Sequence, residues 1–396
     1  VLEPEAMKEP VCAVCKKPVS FRNSRHLYLA VTRLKEELKA LVDSHPQWRK
    51  NAIAFTNRYI DEGLRDRALT RDLEWGIEVP KEGYENKTIY IWAENVLGYL
   101  SASKTAAEAR GDDFYSLWGE DAVHYYVHGK DNIPFHTIIL PTLLLAGGEN
   151  WHLPDRIVSS EYVTLEGRKI STSRNYAVWV KDLLENYEAD SIRYFFLTNG
   201  PEKKDADFSW REYVNSHNGE LLGAYGNFVN RCLAFIGKYF DGCVPEGREN
   251  EERNGRIESL FVSVGKQIEN GAFKDAIDEI FEFVRSANKF FDAEKPWVTG
   301  NTDIAACKNT LYQCVQIIAN LAVLLSPFLP FSSEKVCKWL GIPLPQIWKK
   351  QSVPVGLRIP EAEILFRRID KKVIETETEK LNKLLIGISS LHGVRY

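Results

Sequence analysis

The sequence predicts an α/β domain built on a parallel sheet, followed by an α-helical bundle. β-rich runs alternate with helical segments in the first half of the chain, which is typical of βαβ units. After about Asp190 the apolar residues recur at helical spacing instead. With 396 residues, the chain is long enough for two or three domains, each with its own core.

The strands of the first half are predicted from runs rich in β-branched and aromatic residues. These runs cover residues 88–92, 124–128 and 156–164, and helical stretches at 100–110 and 141–146 lie between them. In an open parallel sheet, ligands bind beyond the carboxyl ends of the strands. We therefore expect the functional residues in the segments that follow these strands.

The helices of the second half are predicted from the spacing of their apolar residues. They cover residues 191–198, 213–240, 256–270, 273–291 and 304–325. A charged, glycine-containing stretch at 241–255 is predicted as a loop. Residues 376–396 are charged and weakly amphipathic, and they are predicted as a tail.

Composition excludes several classes of protein. Hydrophobic residues make up 44% and charged residues 27% of the chain, which argues against a disordered or collagen-like protein. The net charge of −4 means that a nucleic acid would have to bind at local basic patches. The seven scattered cysteines do not suggest a disulfide framework. Neither a signal peptide nor a membrane span is recognised in the sequence, so we expect a cytoplasmic protein.

Residues 169–173, which read Lys-Ile-Ser-Thr-Ser, are the first candidate for a functional site. Lys169 supplies a positive charge, and Ser171 and Ser173 supply hydroxyl donors, which together suit the binding of phosphate groups. The alternative is a solvated turn without a ligand.

Two further candidates follow the predicted strands. Gly129 and Asp131 come directly after the strand at 124–128, where the carboxylate can accept hydrogen bonds from a ribose or an amine. Trp92 and Tyr99 stand at the two ends of the segment WAENVLGY and can wall an apolar pocket. His136 follows Asp131 on the next turn. The alternatives are a merely structural role for this histidine and core packing of the aromatic residues.

A pair of cysteines near the start has the spacing of a zinc knuckle. Cys12 and Cys15 are separated by two residues, whereas a structural zinc needs four ligands and only His26 lies nearby. The pair is therefore either half of a zinc site or two inert thiols.

The helical half contains residues that suit unstacked nucleobases. Asn227 and Arg231 are four residues apart and so share one helix face, and Trp297 follows Glu-Lys-Pro. An amide, a guanidinium plane and an indole face make a platform for such bases. The alternative is a helix start at Pro296 with a packed tryptophan.

Taken together, these segments resemble the methionyl-tRNA synthetases, a family of class I aminoacyl-tRNA synthetases. The resemblance is collinear from Cys12 to about Leu329. The matching segments are, in chain order, CAVC, TRD, WAENVLGY, GKDNIPFH, YVTLEGRKISTS, DSIRY, DADFSW, NFVNR, YFDG and EKPW.

The resemblance implies a partial Rossmann-like catalytic domain, an α-helical anticodon-binding bundle and ATP-dependent attachment of methionine to tRNA. It divides the chain into a remnant of the connective, zinc-knuckle insertion at 1–26, the C-terminal part of the catalytic domain at 27–165, a KMSKS-like loop with a stem-contact segment at 166–215, the anticodon-binding domain at 216–375 and the tail at 376–396. It also implies ATP with Mg²⁺, and Zn²⁺ in the complete protein.

The resemblance also implies a role for each candidate residue. Lys169, Ser171, Ser173 and Arg71 match catalytic positions, and Lys169, Asp131 and Gly129 match ATP-binding positions. The implied methionine pocket consists of Trp92, Asn95, Tyr99, Phe135, His136 and Ile139. The residues implied to read a CAU anticodon are Asn227, Arg231 and Trp297.

The sequence departs from the family pattern at three places. Thr172 replaces the second lysine of the KMSKS motif, and Glu94-Asn95 replaces the usual Asp-Ala, which predicts an altered affinity for methionine. No HIGH-type His-x-Gly-His motif occurs among the eight histidines. We therefore expect a fragment, or a chain whose N-terminal half is a separate polypeptide.

Two alternative functions stay open at this point. The first is a tRNA-binding module that catalyses nothing. The second is a related synthetase for another aliphatic amino acid, and the set Asn227, Arg231 and Trp297 argues against it because these positions follow the methionine anticodon.

Overall fold

The computed structural model describes residues 11, 17–20, 22–148, 150–172, 175–344, 347–361 and 363–391, with side chains as far as residue 383. The chain divides into two compact units, Val1–Ser159 and Ser160–Tyr396. The first combines short strands with helices and the second is mainly helical, as the sequence predicts. Among the described residues, no helix is long and apolar enough to cross a membrane.

In the first unit, helices connect short pairs of strands. The elements are β1 (Tyr28–Leu29), α1 (Lys35–Asp43), α2 (Lys50–Asp61), β2 (Arg67–Ala68), β3 (Thr70–Arg71), β4 (Thr88–Ile89), α3 (Ile91–Arg110), β5 (Tyr125–Gly129), α4 (Leu140–Ala146) and β6 (Arg156–Ser160). β1 pairs with β2 and β3 with β4, both antiparallel, and β5 pairs with β6. A π-helical turn, Phe135–Ile139, leads directly into α4.

The predicted strand at 88–92 is wrong beyond Ile89, because α3 begins at Ile91. Glu94 lies in the first turn, where a negative charge favours the helix N-terminus. The helix ends at Arg110 and is followed by Gly111, whose φ of +75° is a left-handed conformation that glycine adopts without strain. The segment WAENVLGY is therefore helical, and its side chains have helical spacing.

The core of the first unit packs behind β5 and the π-helical turn. Trp48, Trp118, Tyr126 and Ile133 are buried together in one cluster. The Thr56 hydroxyl donates to the Thr137 hydroxyl at 2.8 Å, which gives a buried polar group its partner. The π-helical turn is thus held from behind by α2.

The second unit begins with a small sheet and continues as helices. Its elements are β7 (Val163–Leu165), β8 (Arg168–Lys169), α5 (Val180–Asn186), α6 (Ala189–Asn199), β9 (Ala206–Phe208), α7 (Trp210–Ser216), α8 (Asn227–Phe240), α9 (Glu251–Glu269), α10 (Phe273–Glu294), α11 (Pro296–Thr302), α12 (Ile304–Leu325), α13 (Pro330–Trp339) and α14 (Lys372–Leu391). A π-helical segment, His217–Gly226, joins α7 to α8.

The sheet of the second unit has β7 at its centre. β7 pairs with β8 antiparallel and with β9 in parallel. Between β7 and β8, Glu166 and Gly167 have φ values of +47° and +72°. The turn is held in place because the Glu166 carboxylate accepts from the Trp210 backbone N–H and Asp207 accepts from that of Gly167, both at 2.8 Å.

The helix α12 lies at the centre of the bundle. Its observed bounds, Ile304–Leu325, agree with the predicted segment, and its side chains from Leu311 to Val315 are all buried. Next to it, Asp190 on α6 caps α13, because its carboxylate accepts from the Ser332 backbone N–H and hydroxyl, both at 2.6 Å.

The predicted tail is helical as far as Leu391. It forms most of α14, on which Leu381 is buried against a cluster that contains Trp210 and Tyr213. The predicted domain boundaries at 26, 165, 215 and 375 stay predictions.

Candidate functional site

Two elements of the first unit bring four of the predicted pocket residues together in pairs. On α3, Trp92, Asn95 and Tyr99 share one face, because they are three and four residues apart. The Trp92 ring stacks on Phe135 of the π-helical turn, with 4.4 Å between the ring centroids. The Tyr99 hydroxyl lies 2.8 Å from Nε2 of His136 on the same turn.

The hydrogen bonds of His136 define its tautomer. Nδ1 lies 2.9 Å from the Asn132 carbonyl oxygen, which can only accept, so Nδ1 carries the proton. Nε2 therefore accepts the hydrogen bond from Tyr99. Burial lowers the pKa of His136, which keeps the ring neutral at neutral pH.

A second histidine, His128, stacks on the His136 ring. His128 lies on β5, and the two ring centroids are 4.3 Å apart. Burial is the largest cause that lowers the pKa of His128, to about 4. The two stacked rings are thus both neutral at neutral pH, and neither repels the other.

A cavity of about 410 Å³ opens beside the Trp92–Phe135 stack. Ile139 and Arg71 also line it, whereas Asn95, Tyr99 and His136 do not. The Arg71 guanidinium lies 3.7 Å from the centroid of the Tyr90 ring and donates to the carbonyl oxygens of Ala68 and Thr70. These contacts fix a cation at the cavity wall.

Gly129 and Asp131 lie at the carboxyl end of β5, as the sequence predicts. A short 3₁₀ turn, Lys130–Asn132, follows the strand, and the Asp131 side chain is exposed. A Cβ atom at position 129 would meet no atom within 4 Å, so the backbone there is open to a ligand.

The lysine loop lies in the second unit. Lys169 ends β8 and is exposed. Ser171 and Tyr176 exchange two backbone hydrogen bonds of 2.9 Å, which close the loop. Ser173 lies outside the described residues.

Two of the predicted base-binding residues, Arg231 and Trp297, meet near the start of α8 and the end of α10. The Arg231 guanidinium lies 4.5 Å from the centroid of Phe291 and 5.5 Å from that of Trp297. Its position is fixed by an ion pair of 2.8 Å with Asp292. Asn227 is exposed one turn earlier on α8. Because 38% of the Trp297 surface is exposed, its indole is open to a ligand.

The predicted zinc ligands Cys12 and Cys15 lie outside the described residues. Within the described part of the chain, no three residues of the His, Cys, Asp and Glu types are arranged to hold a metal ion. His26 is instead engaged with the Thr70 hydroxyl at 2.9 Å.

Several residues of these sites were not predicted from the sequence. They are His128 beneath His136, Tyr90 beneath Arg71, and Phe291 with Asp292 around Arg231. Each acts through a neighbour on a different element, so spacing along the chain gives no signal for it. The aromatic residue at 291 does lie on the apolar stripe of a predicted helix.

Comparison with protein-family models gives two matches. Residues 1–233 match the model described as tRNA synthetases class I (M). Residues 254–388 match the model described as the anticodon-binding domain of tRNA ligase. Asn227 and Arg231 fall within the first match and Trp297 within the second.

Among curated proteins, the chain is similar to methionine–tRNA ligase 1 of Alkaliphilus oremlandii. The two are 50% identical over 384 residues, which cover 97% of this chain and 71% of that relative. It is also 50% identical to the methionine–tRNA ligase of Bacillus cereus strain G9842 over 384 residues, 96% of this chain and 70% of that one.

Among solved structures, the chain is similar to methionyl-tRNA synthetase from Mycobacterium tuberculosis bound by methionyl-adenylate. The TM-score is 0.79 at 23% identity, and the match covers 91% of this chain and 72% of that chain. The free form of that enzyme gives a TM-score of 0.77 with the same coverage. At this identity the likeness concerns the fold.

Proposed function

Because the chain belongs to the class I methionyl-tRNA synthetase family, we propose that it acts in the ATP-dependent attachment of methionine to a tRNA that carries a CAU anticodon. The observation that carries the proposal is the paired arrangement on α3 and the π-helical turn, Trp92 on Phe135 and Tyr99 on His136. Aromatic walls suit a thioether, since sulfur makes favourable contacts with aromatic rings.

The reaction that we propose has two steps. The methionine carboxylate attacks the α-phosphorus of ATP, the bond to the β-phosphate breaks, and pyrophosphate leaves. A hydroxyl of the tRNA 3′ end then attacks the activated carbonyl, and AMP leaves. Lys169 is proposed to stabilise the pyrophosphate charge electrostatically, with Ser171 and Ser173 as hydroxyl donors. Arg71, Gly129 and Asp131 are proposed to position the nucleotide and the amino acid.

Metal ions enter the proposal only through the substrate. ATP is proposed to react as its magnesium complex, which neutralises phosphate charge. The zinc knuckle expected from Cys12 and Cys15 stays a proposal for the complete protein, and no step depends on it.

We further propose that the HIGH-type histidines are supplied by another polypeptide segment. Support comes from the sequence, which contains no His-x-Gly-His, and from β5, where Tyr125 and Val127 are 43% and 69% exposed. Exposed apolar side chains on a strand suit a covering segment.

Methionine-dependent exchange between ATP and pyrophosphate tests whether a second polypeptide segment must supply the HIGH-type histidines. We expect no exchange by this chain alone and exchange after addition of the N-terminal half of a related methionyl-tRNA synthetase. Exchange by the chain alone would contradict the need for the added histidines. No exchange in either case, together with retained binding to CAU-bearing tRNA, would favour a tRNA-binding module without catalysis.

Asn95→Ala tests the methionine pocket in the complemented enzyme. Asn95 is exposed on the α3 face that carries Trp92 and Tyr99, so we expect the Michaelis constant for methionine to change while that for ATP stays constant. Lys104→Ala, at an exposed position on the same helix, is the matched control. Unchanged methionine dependence in Asn95→Ala would remove this residue from the pocket.

Trp297→Ala tests the anticodon platform. Stacking of one base on an aromatic ring contributes about 1–3 kcal/mol, so binding to CAU-bearing tRNA should weaken by about tenfold or more. Phe331→Ala removes another exposed aromatic ring of the same unit, on α13, and should leave binding unchanged. An equal loss for all tRNAs would show that Trp297 does not take part in anticodon recognition.

A further inference from the structure

A row of aromatic rings extends from the Arg231–Trp297 pair along α8. Phe291 lies 6.0 Å from Trp297 and 5.9 Å from Phe235, measured between ring centroids. Phe235 in turn stacks on Tyr239 at 5.7 Å, with only 7° between the ring planes. The row therefore connects the exposed indole with a tyrosine two turns further along α8.

The far end of this row touches α11 at a glycine. A Cβ atom on Gly300 would lie 2.5 Å from Cζ of Tyr239 and 2.7 Å from both Cε atoms. Distances below about 3 Å are not tolerated in packed interiors, so a side chain at 300 would force α11 and the ring apart. The Tyr239 hydroxyl is buried and has no hydrogen-bond partner among the described residues, so the ring is held there by packing.

Gly300 and Trp297 lie on the same side of α11, three residues apart. The helix is fixed at its start by Lys295, the single residue between α10 and α11, which has a φ of +46°. The helix also packs on α12, and on the side of α8 it is supported by the Tyr239–Gly300 contact. A shift at position 300 is therefore transmitted to the indole one turn earlier.

We propose that Tyr239 and Gly300 are positioning residues that set how Trp297 stands against Arg231 and so determine anticodon selectivity. The proposal rests on the proposed function, because it assumes that Trp297 is part of the base platform. Tyr239 is not assigned to base binding, since its ring packs on Phe235, lies 4.8 Å from the Lys238 ammonium and meets Gly300 with its edge. Its effect on RNA is transmitted through α11.

A double-mutant cycle on the full chain tests the contact. The measurement uses two short anticodon stem-loop RNAs, one with CAU and one with an altered anticodon. It is the dissociation constant for the altered RNA divided by that for the CAU RNA, so a lower ratio means lower selectivity. Gly300→Ala should reduce this ratio by about tenfold, and Tyr239→Ala by a smaller factor because it removes the support without a clash. In the Tyr239→Ala background, Gly300→Ala should change the ratio by less than about twofold, since the clash is gone.

Two controls distinguish an effect on the position of Trp297 from a general loss of stability. Gly237→Ala adds a methyl group on α8 where no atom lies within 4 Å, so it should leave the ratio unchanged. Tyr239→Phe keeps the ring and removes the unpartnered hydroxyl, and it should retain the wild-type ratio. If Gly300→Ala does not fold, the reduced ratio of Tyr239→Ala carries the test alone.

The outcomes distinguish this proposal from the proposed function. A wild-type chain that binds both RNAs equally would overturn the anticodon platform and the positioning role with it. A wild-type preference for CAU that persists unchanged in Gly300→Ala and Tyr239→Ala would overturn the positioning role alone. Lower melting temperatures with an unchanged ratio would lead to the same conclusion, because the contact would then be merely structural.

Discussion

At the scale of single residues, the stacked pair His128 and His136 shows how burial controls protonation. Both side chains are kept neutral by desolvation, and the hydrogen bond from Tyr99 to His136 exists only while Nε2 is unprotonated. Protonation of His136 would therefore reverse this hydrogen bond, because Nε2 would then donate to the Tyr99 hydroxyl oxygen.

Stability should accordingly fall in acid. His128 has a pKa of about 4 in the folded chain and about 6.5 when unfolded, so the unfolded state binds more protons between these values. The contribution of neutral His128 to the free energy of unfolding is fully present above about pH 6.5 and is lost as the pH falls toward 4. Denaturant unfolding of His128→Phe should show a smaller loss between pH 6.5 and 4 than wild type does. An identical loss in both proteins would contradict the pKa shift.

Asp190 provides a second prediction at this scale. Asp190→Ala removes the acceptor for two donors of Ser332 at the start of α13, and unsatisfied buried donors cost about 1–3 kcal/mol each. The free energy of unfolding should fall by at least this amount. Asp182→Ala, at an exposed position in the first turn of α5, should change it little, and an equal effect of the two would argue against the cap.

At the scale of elements, the predictability of a segment depends on whether its pattern is local. α12 is predicted to the residue because a continuous apolar stripe between Ile304 and Leu325 leaves little choice. The run at 88–92 has strand composition, yet the Tyr90 N–H bonds to Leu69 and the chain turns into a helix. Such a contact with a distant segment has no signature in the run itself.

The two π-helical segments illustrate the same limit. Their composition is that of ordinary helices, and the contacts that hold them come from elsewhere in the chain. The Asn218 side chain exchanges hydrogen bonds with the backbone of Ile369, and His217 bonds to the Arg367 carbonyl oxygen.

The face that carries Trp92, Asn95 and Tyr99 is predicted in part by their spacing, whereas the cavity beside it depends on Arg71 and Tyr90.

The buried position of α12 gives a prediction for the element. Leu321 on this helix is completely buried, and removal of such a side chain costs about 2–5 kcal/mol. Leu321→Ala should lower the free energy of unfolding by that amount, measured by denaturant titration. Ile304→Ala, at the exposed start of the same helix, is the control and should have a much smaller effect.

At the scale of the whole molecule, the hydrophobic clusters follow the two units. The large cluster around α12 and the cluster around Trp210 consist of residues of the second unit. We therefore expect residues 160–396 to fold when produced alone. Circular dichroism should show a cooperative unfolding transition, and affinity for a CAU stem-loop should equal that of the full chain. A non-cooperative or aggregated product would contradict this independence.

The π-helical segment His217–Gly226 has a consequence for variation of this chain over evolution. Each residue of a helix turns the next side chain by about 100°, and Asn227 and Arg231 follow this segment without a break. Loss or gain of one residue here would rotate the proposed base-reading side chains Asn227 and Arg231 and would move Arg231 away from Trp297. Insertions and deletions in this stretch would therefore change the rotation of the proposed base-reading residues, whereas substitutions would act through the packing of the buried side chains His217, Leu221 and Tyr225. The length of this connecting segment is thus constrained separately from its composition.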